Sequence, residues 1–374
     1  MEKKRVAVYP FSRAFVSPCE FLGALSEAYA VAALVAPRGW SMEGRDGGAF
    51  DGREPLGLTV GSDLEGALAS CDALLVPPGE HGASLRQKTL QAMERAAVLG
   101  KDILCALELS PEELGALRAL CTRSGADLRY DAGGFEQETA GSPSGSRALN
   151  GLDTPVVYVG ELLAGLHAED ILLSLVRAFR ERGYRASGVL DRCYAGLFSL
   201  HPMPSFLKEG AEETDKIYRF NAYLKQLEQS ERPDVLFVQL PGGMLKYNDQ
   251  IPNDFGVYGY LISQAVQPDC FVLSVPYGQG DPAFYAGLSD CFAKRFGFEI
   301  DCAVMSTLEM DALESAGRGK TVFHCQDIEA VKRLTRGMNA SETPVYPGLC
   351  GEGRRAAEEC LFQALTGNRC ARAI

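Results

Sequence analysis

RPDVLFVQLPGGMLKYNDQIPNDFG, residues 232–256, holds the pattern from which the fold of this chain is read. Its apolar run at 235–238 is too short for a helix and is bounded by turn residues. That predicts a strand buried on both faces, as in a parallel sheet. The run meets Pro241-Gly242-Gly243, where a backbone without Cβ turns sharply and approaches a ligand closely. Lys246, Asn248, Asp249, Asn253 and Asp254 follow as a polar loop. Ligands of open α/β sheets sit beyond the carboxyl ends of the strands, so this loop is the leading candidate site. The competing reading is a long surface turn whose asparagines hold only local backbone.

Working outward, further buried strands are expected at 154–160, 186–190, 271–275, 303–305 and 321–323. Helices are expected at 168–182, 217–229, 328–337 and 353–366. The first third alternates in the same way. Strands are predicted at 5–10, 31–35, 58–60, 73–76 and 103–107, with helices at 18–29, 63–69 and 85–99. Another helix opens at Ser110-Pro111-Glu112-Glu113, which carries a capping box and a first-turn proline. Such alternation means α/β domains with mainly parallel sheets covered by helices. Residues 131–153 are poor in apolar residues and rich in Gly, Ser and Pro, which marks a linker. The expected plan is a Rossmann-like domain at 1–130, the linker, and a degenerate P-loop-like domain with a helical tail at 154–374. The first strand is followed by Tyr9-Pro10-Phe11-Ser12-Arg13 in place of G-x-G-x-x-G, so no dinucleotide is assigned to it.

Gly160-Glu161-Leu162-Leu163-Ala164-Gly165-Leu166-His167 has the frame of a phosphate-binding P-loop. A working P-loop needs Lys and then Ser/Thr after its second glycine, and this chain has Leu166 and His167. Magnesium-nucleotide hydrolysis is therefore not expected. The helix start can still offer N–H groups to an anion, although Glu169 and Asp170 already complement its dipole. The alternative is a purely structural strand-to-helix turn.

The four histidines, His81, His167, His201 and His324, show no metal-ligand spacing. His167 and His201 are expected at one sheet edge and are the candidate general acid/base pair. Asp191-Arg192 reads either as a polar readout pair or as a solvated ion pair. The candidate ligand-binding residues are Gly160, Gly165, Asp191, Arg192, Gly242, Gly243, Asn248, Asn253 and Asp254. No metal site is read, and no cofactor is identified.

A net charge of −12 argues against a nucleic-acid surface, which wants clustered Lys and Arg. The first residues, MEKKRVAVYPF, lack a signal-peptide core, and no apolar run approaches membrane-spanning length. The twelve cysteines include no CxxC pair, so neither a zinc ribbon nor a redox dithiol is indicated. The expectation is a cytoplasmic protein with reduced thiols, with homo-oligomerisation left open.

The order VVYVG, ERGYRASGVLDRCYAGLFSLHPMPSF, RPDVLFVQLPGGMLKYNDQIPNDFG and ISQAVQPDCFVLSVPYG resembles the clostridial peptide maturation system protein family. The resemblance spans roughly residues 156–280. It implies a place beside radical-SAM maturases in ribosomal peptide natural-product clusters, with a precursor peptide or an acyl-carrier-related protein as partner. A Rossmann-like domain followed by a P-loop-like one is also distantly similar to the family that includes D-glutamate N-acetyltransferases. That likeness implies an alternative, a transferase using an acyl or nucleotide donor at the same sheet edge. Members of that family retain the lysine that Leu166 replaces here.

Overall fold

The computed structural model describes residues 2–79, 82–131, 148–251, 253–278 and 280–367. The chain forms two compact units, residues 1–50, 55–135 and 192–202 in the first and 51–54, 136–191 and 203–374 in the second. Of the expected linker, 132–147 lie outside the described residues, and the remainder contains neither helix nor strand. Both units are α/β, each with a mostly parallel sheet covered by helices.

In the first unit, β1 (Lys4–Val8), β2 (Tyr29–Val35), β3 (Val60–Gly61), β4 (Ala73–Val76), β5 (Asp102–Cys105) and β6 (Leu128–Tyr130) lie in the order β3-β2-β1-β4-β5-β6. Every pairing is parallel. Helices α1 (Val16–Leu25), α2 (Leu64–Ser70), α3 (Ala83–Val98) and α4 (Pro111–Ser124) make the crossovers. All four residues of β4 are buried, as an apolar run in a doubly covered sheet must be. The predicted capping box is present: Ser110 Oγ accepts from the Glu113 N–H at 3.2 Å, and Glu113 Oε2 accepts from the Ser110 N–H at 2.8 Å. The segment 192–202 carries Tyr194, whose ring meets Phe15 edge-on at 5.1 Å, and the two-residue strand β9 (His201–Pro202).

The second unit is built on β7 (Val156–Glu161), buried along its whole length. Its neighbours β8 (Ala186–Leu190), β10 (Val235–Gly243), β11 (Cys270–Tyr277) and β12 (Cys302–Met310) give the order β12-β11-β7-β10-β8, all parallel. Strand β13 (Phe323–Cys325) pairs antiparallel with β12, and β14 (Val345–Pro347) pairs parallel with it. The helices are α5 (Ala168–Glu181), α6 (Glu213–Glu231), α7 (Val257–Ala265), α8 (Pro282–Phe296), α9 (Ala312–Arg318), α10 (Ile328–Leu334) and α11 (Gly351–Thr366). The core is aromatic. Phe271 meets Phe298 at 4.9 Å and Phe292 at 5.4 Å, and Tyr158 is fully buried with its hydroxyl donating to the Ile262 carbonyl at 3.2 Å. Burying each such ring contributes about 1.5–3 kcal/mol.

Several elements differ from the sequence expectation, and β6, β9 and α9 were not predicted. The central strand does not stop at the Pro-Gly-Gly segment; β10 runs through it to Gly243, with a register shift between Gln239 and Gly243. Helix α7 was not predicted, because VYGYLISQA is rich in aromatic and β-branched residues that favour strands. Helix α8 was also not predicted, although Asp281-Pro282 is a start signal and Asp281 Oδ1 accepts from the Ala283 N–H at 3.0 Å. Strand β14, too, lies beyond the two strands expected to close the sheet.

Candidate functional site

Strand β7 delivers Glu161 into the P-loop-like turn with only 7% of its surface exposed. Its Oε2 accepts from the Gly165 N–H and its Oε1 accepts from the Ala168 N–H at 2.8 Å. The loop thus folds around a carboxylate of its own, at the place where a P-loop holds a phosphate. Gly160 serves packing: a Cβ there would lie 3.0 Å from the Phe271 ring. Gly165 takes φ +94°, a left-handed conformation that its lack of a side chain allows.

The polar loop after β10 closes on the same turn from outside. Asn253 Nδ2 donates to the Leu162 carbonyl at 3.1 Å and the Leu245 carbonyl at 2.7 Å, and its Oδ1 accepts from the Ala164 N–H at 3.2 Å. Asp254 Oδ2 accepts from the Gly243 N–H at 2.9 Å. A Cβ on Gly243 would stand 1.8 Å from Asn253 Nδ2, and one on Gly242 would stand 2.7 Å from Asp254 Oδ2. These glycines therefore admit the protein's own side chains. Asn248 Oδ1 accepts from the N–H groups of Gln250 at 2.9 Å and Ile251 at 2.7 Å, a local turn. Lys246 and Asp249 pair with each other.

His167 caps α5 at φ 68°, a region that non-glycine residues seldom adopt. Its Nδ1 lies 2.9 Å from Ser306 Oγ and its Nε2 lies 3.9 Å from Asp51 Oδ2. Behind it is a buried ionic chain. Arg53 Nε lies 2.9 Å from both carboxylate oxygens of Asp51, and Arg53 Nη1 lies 2.8 Å from Asp170 Oδ2. Arg354 Nη2 holds Asp170 at 2.8 and 2.9 Å. Burial alone would raise the Asp170 pKa, but Arg354, Arg53 and His167 outweigh it and hold it at about 2. Strung together in space, Ser306, His167 and Asp51 have the order of a nucleophile, base and orienting acid. Yet Ser306 is 2% exposed, and its Oγ accepts from the Leu308 N–H at 3.0 Å. The cavity that Ser306 lines with His167, Asp170, Ser274 and Arg354 encloses about 20 Å³, room for about one water molecule.

The other predicted residues are dispersed. Asp191 Oδ1 pairs with Lys208 Nζ at 2.8 Å, and its N–H donates to Gln239 Oε1 at 3.0 Å. Arg192 and His201 belong to the 192–202 segment of the first unit. His81 lies outside the described residues. The second unit therefore brings together Gly160, Gly165, His167, Gly242, Gly243, Asn253 and Asp254 at the carboxyl ends of β7 and β10, where Asn253 and Asp254 bond the neighbouring loop backbone and His167 faces Ser306 and Asp51.

Sequence reasoning missed a different concavity. In the first unit, strand order reverses between β1 and β4, the switch point at which doubly wound sheets open a crevice. A cleft of about 720 Å³ lies there, lined by Pro10, Ser12, Trp40, Pro77, Ser84 and Lys88 among others. Its volume falls in the range of small-molecule sites. Chain segments after β1 and β4 form its walls, and α3 begins in it with Gly82 as N-cap and no acidic residue in its first turn. The Pro77-Pro78-Gly79 turn after a buried strand is the sequence signal for it, although no G-x-G-x-x-G marks this edge.

These two doubly wound units define a class of α/β protein. No protein-family model matches the chain, and no curated protein matches it. Among solved structures it is similar to a DUF1611 family protein from Anabaena variabilis, with a TM-score of 0.59 and 14% identity over 96% of this chain and 100% of that one. At that identity the likeness shows a shared fold. Chloroplast FtsY from Physcomitrella patens matches at 12% identity over 75% of this chain and 90% of that one, with a TM-score of only 0.30. Among the described residues no helix is long and apolar enough to cross a membrane.

Proposed function

We propose that this chain is a maturation-pathway protein for ribosomally synthesised peptides, and that it works by binding a small ligand or a pathway partner and not by hydrolysing nucleotide. The pathway assignment rests on the sequence resemblance over residues 156–280, which supplies a precursor peptide or an acyl-carrier-related protein as the partner. The observation that supports binding without hydrolysis is the position of the Glu161 carboxylate on the Gly165 and Ala168 N–H groups. A nucleotide phosphate would have to displace that carboxylate in a loop that has neither the lysine nor the hydroxyl used for phosphoryl transfer. The open switch-point cleft of the first unit is the place where a small ligand fits.

Thermal-shift measurements with precursor peptide, carrier protein, coenzyme A and nucleotides test this reading, because a ligand that binds only the native state raises the melting temperature. The expected outcome is stabilisation by at least one of these without turnover of ATP or GTP. Magnesium-dependent hydrolysis at about 1 per second or faster, an ordinary kinase-like rate, would overturn it.

The string Ser306–His167–Asp51 favours a second reading, a transferase acting at the second unit's sheet edge. That reading requires the 20 Å³ cavity to open for a donor. It predicts that Ser306→Ala and His167→Ala abolish product formation in the reconstituted pathway while the protein stays folded.

A further inference from the structure

Resting on the reading that the switch-point cleft is the ligand site, we infer that it takes a mononucleotide-sized organic phosphate. The cleft's about 720 Å³ suits a ligand of that size, and its described lining includes both apolar and hydrogen-bond-donating side chains. Pro10, Pro77 and Pro78 line it together with Trp40, whose indole is 42% exposed. An aromatic face of this kind stacks on a planar ring. Lys88 is the one ionisable side chain among the described lining residues, and no carboxylate shares that lining. Ser12 and Ser84 add hydroxyls, and no hydrogen bond of either hydroxyl or of the Lys88 ammonium is formed among the described residues. The first turn of α3, whose Ala83, Ser84 and Leu85 line the cleft, has N–H groups without intrahelical acceptors. In a chain of net charge −12, a cation and several donors, with no carboxylate among the described lining residues, favour a negative group against the general field. A ring stacked on Trp40 and a phosphate held by Lys88 would use both kinds of lining group at once.

Trp40 is the chain's single tryptophan, so intrinsic fluorescence reads this cleft directly. Wild-type protein is titrated at fixed ionic strength with AMP, GMP, CMP and UMP, with the parent nucleosides, and with inorganic phosphate, and melting temperatures are followed in parallel. The expected result is a saturable change with at least one nucleoside monophosphate. Its affinity should exceed that of its nucleoside and of inorganic phosphate by about tenfold or more, and Lys88→Glu should weaken it by about tenfold or more with the melting temperature of the free protein unchanged. Equal affinity for nucleoside and monophosphate, or equal binding by Lys88→Glu, would overturn the phosphate assignment and leave the cleft as a ligand site. Inorganic phosphate binding as tightly as every monophosphate would overturn the ring half. If no probe moves either the fluorescence or the melting temperature, both the inference and the reading it rests on fall.

Discussion

Glu161 Oε1 accepts a hydrogen bond from the Ala168 N–H at 2.8 Å, so the last residue of β7 satisfies the first residue of α5 across the intervening turn. Its other oxygen holds the Gly165 N–H. In Glu161→Gln the amide keeps one acceptor and turns an N–H donor toward the second backbone N–H. One backbone donor is then left unsatisfied, at a cost of about 1–3 kcal/mol. Urea unfolding should show a lower midpoint for this variant, and neither protein should hydrolyse magnesium-ATP. Unchanged stability in Glu161→Gln would show that the carboxylate does not hold the loop.

Asn253 and Gly243 form a second test, because they separate a ligand site from a self-contained loop. Asn253→Ala removes two donations and one acceptance that link the chain near Leu245 to the β7 turn, and should destabilise by about 1–3 kcal/mol. Gly243→Ala places a methyl where Asn253 Nδ2 stands and should be at least as damaging. Calorimetric melting of the two variants and of the double variant checks this. The effects should be strongly non-additive, since both act on one contact. A melting temperature unchanged in Asn253→Ala, with loss of pathway product, would restore the asparagine to a ligand role.

Acid stability follows from Asp170. Its pKa in the folded protein is about 2, below the ordinary carboxylate value of about 3.9. A depressed folded-state pKa contributes stability that is present above the unfolded value and lost as pH falls through the folded one. The loss attributable to this carboxylate should therefore run from about pH 4 down to about pH 2. Asp170→Asn should flatten that part of the stability profile measured by chemical unfolding. It should also lower stability at neutral pH, since Arg53 and Arg354 lose a buried partner, a change that costs about 3–5 kcal/mol when a buried pair is broken.

In the first unit, Ser110→Ala should cost about 0.5–2 kcal/mol by removing the side-chain half of the α4 capping box. Ser110→Thr should retain most of it. Equal melting temperatures for the alanine and wild-type proteins would mean that α4 is held by packing alone.

Much of the backbone was readable along the chain. Strands 73–76 and 186–190 fall where their apolar runs place them, and α4 starts at the serine its capping box names. These are local signals, fixed by side-chain period and by hydrogen bonds three residues apart. Helix α7 was not legible because its composition favours strand. Gly259 sits within it where a Cβ would meet Met244 Sδ at 2.5 Å, so packing against the loop after β10 sets the site. For the loop after β10 the sequence left a ligand site and a self-contained turn both open, because glycines that admit a ligand and glycines that admit a neighbouring side chain look alike in sequence.

By itself the sequence determined the alternation of strand and helix in both halves and the absence of the lysine and hydroxyl that phosphoryl transfer uses. Each is a property of residues at fixed, short separations. Only the tertiary structure decided what occupies the two strand edges. Asn253 reaches Ala164 across a separation of 89 residues, and Arg53 reaches Asp170 across 117. The first-unit cleft exists because β1 lies beside β4, a neighbour far away in the chain. Contacts of that separation depend on strand order, which no local period encodes.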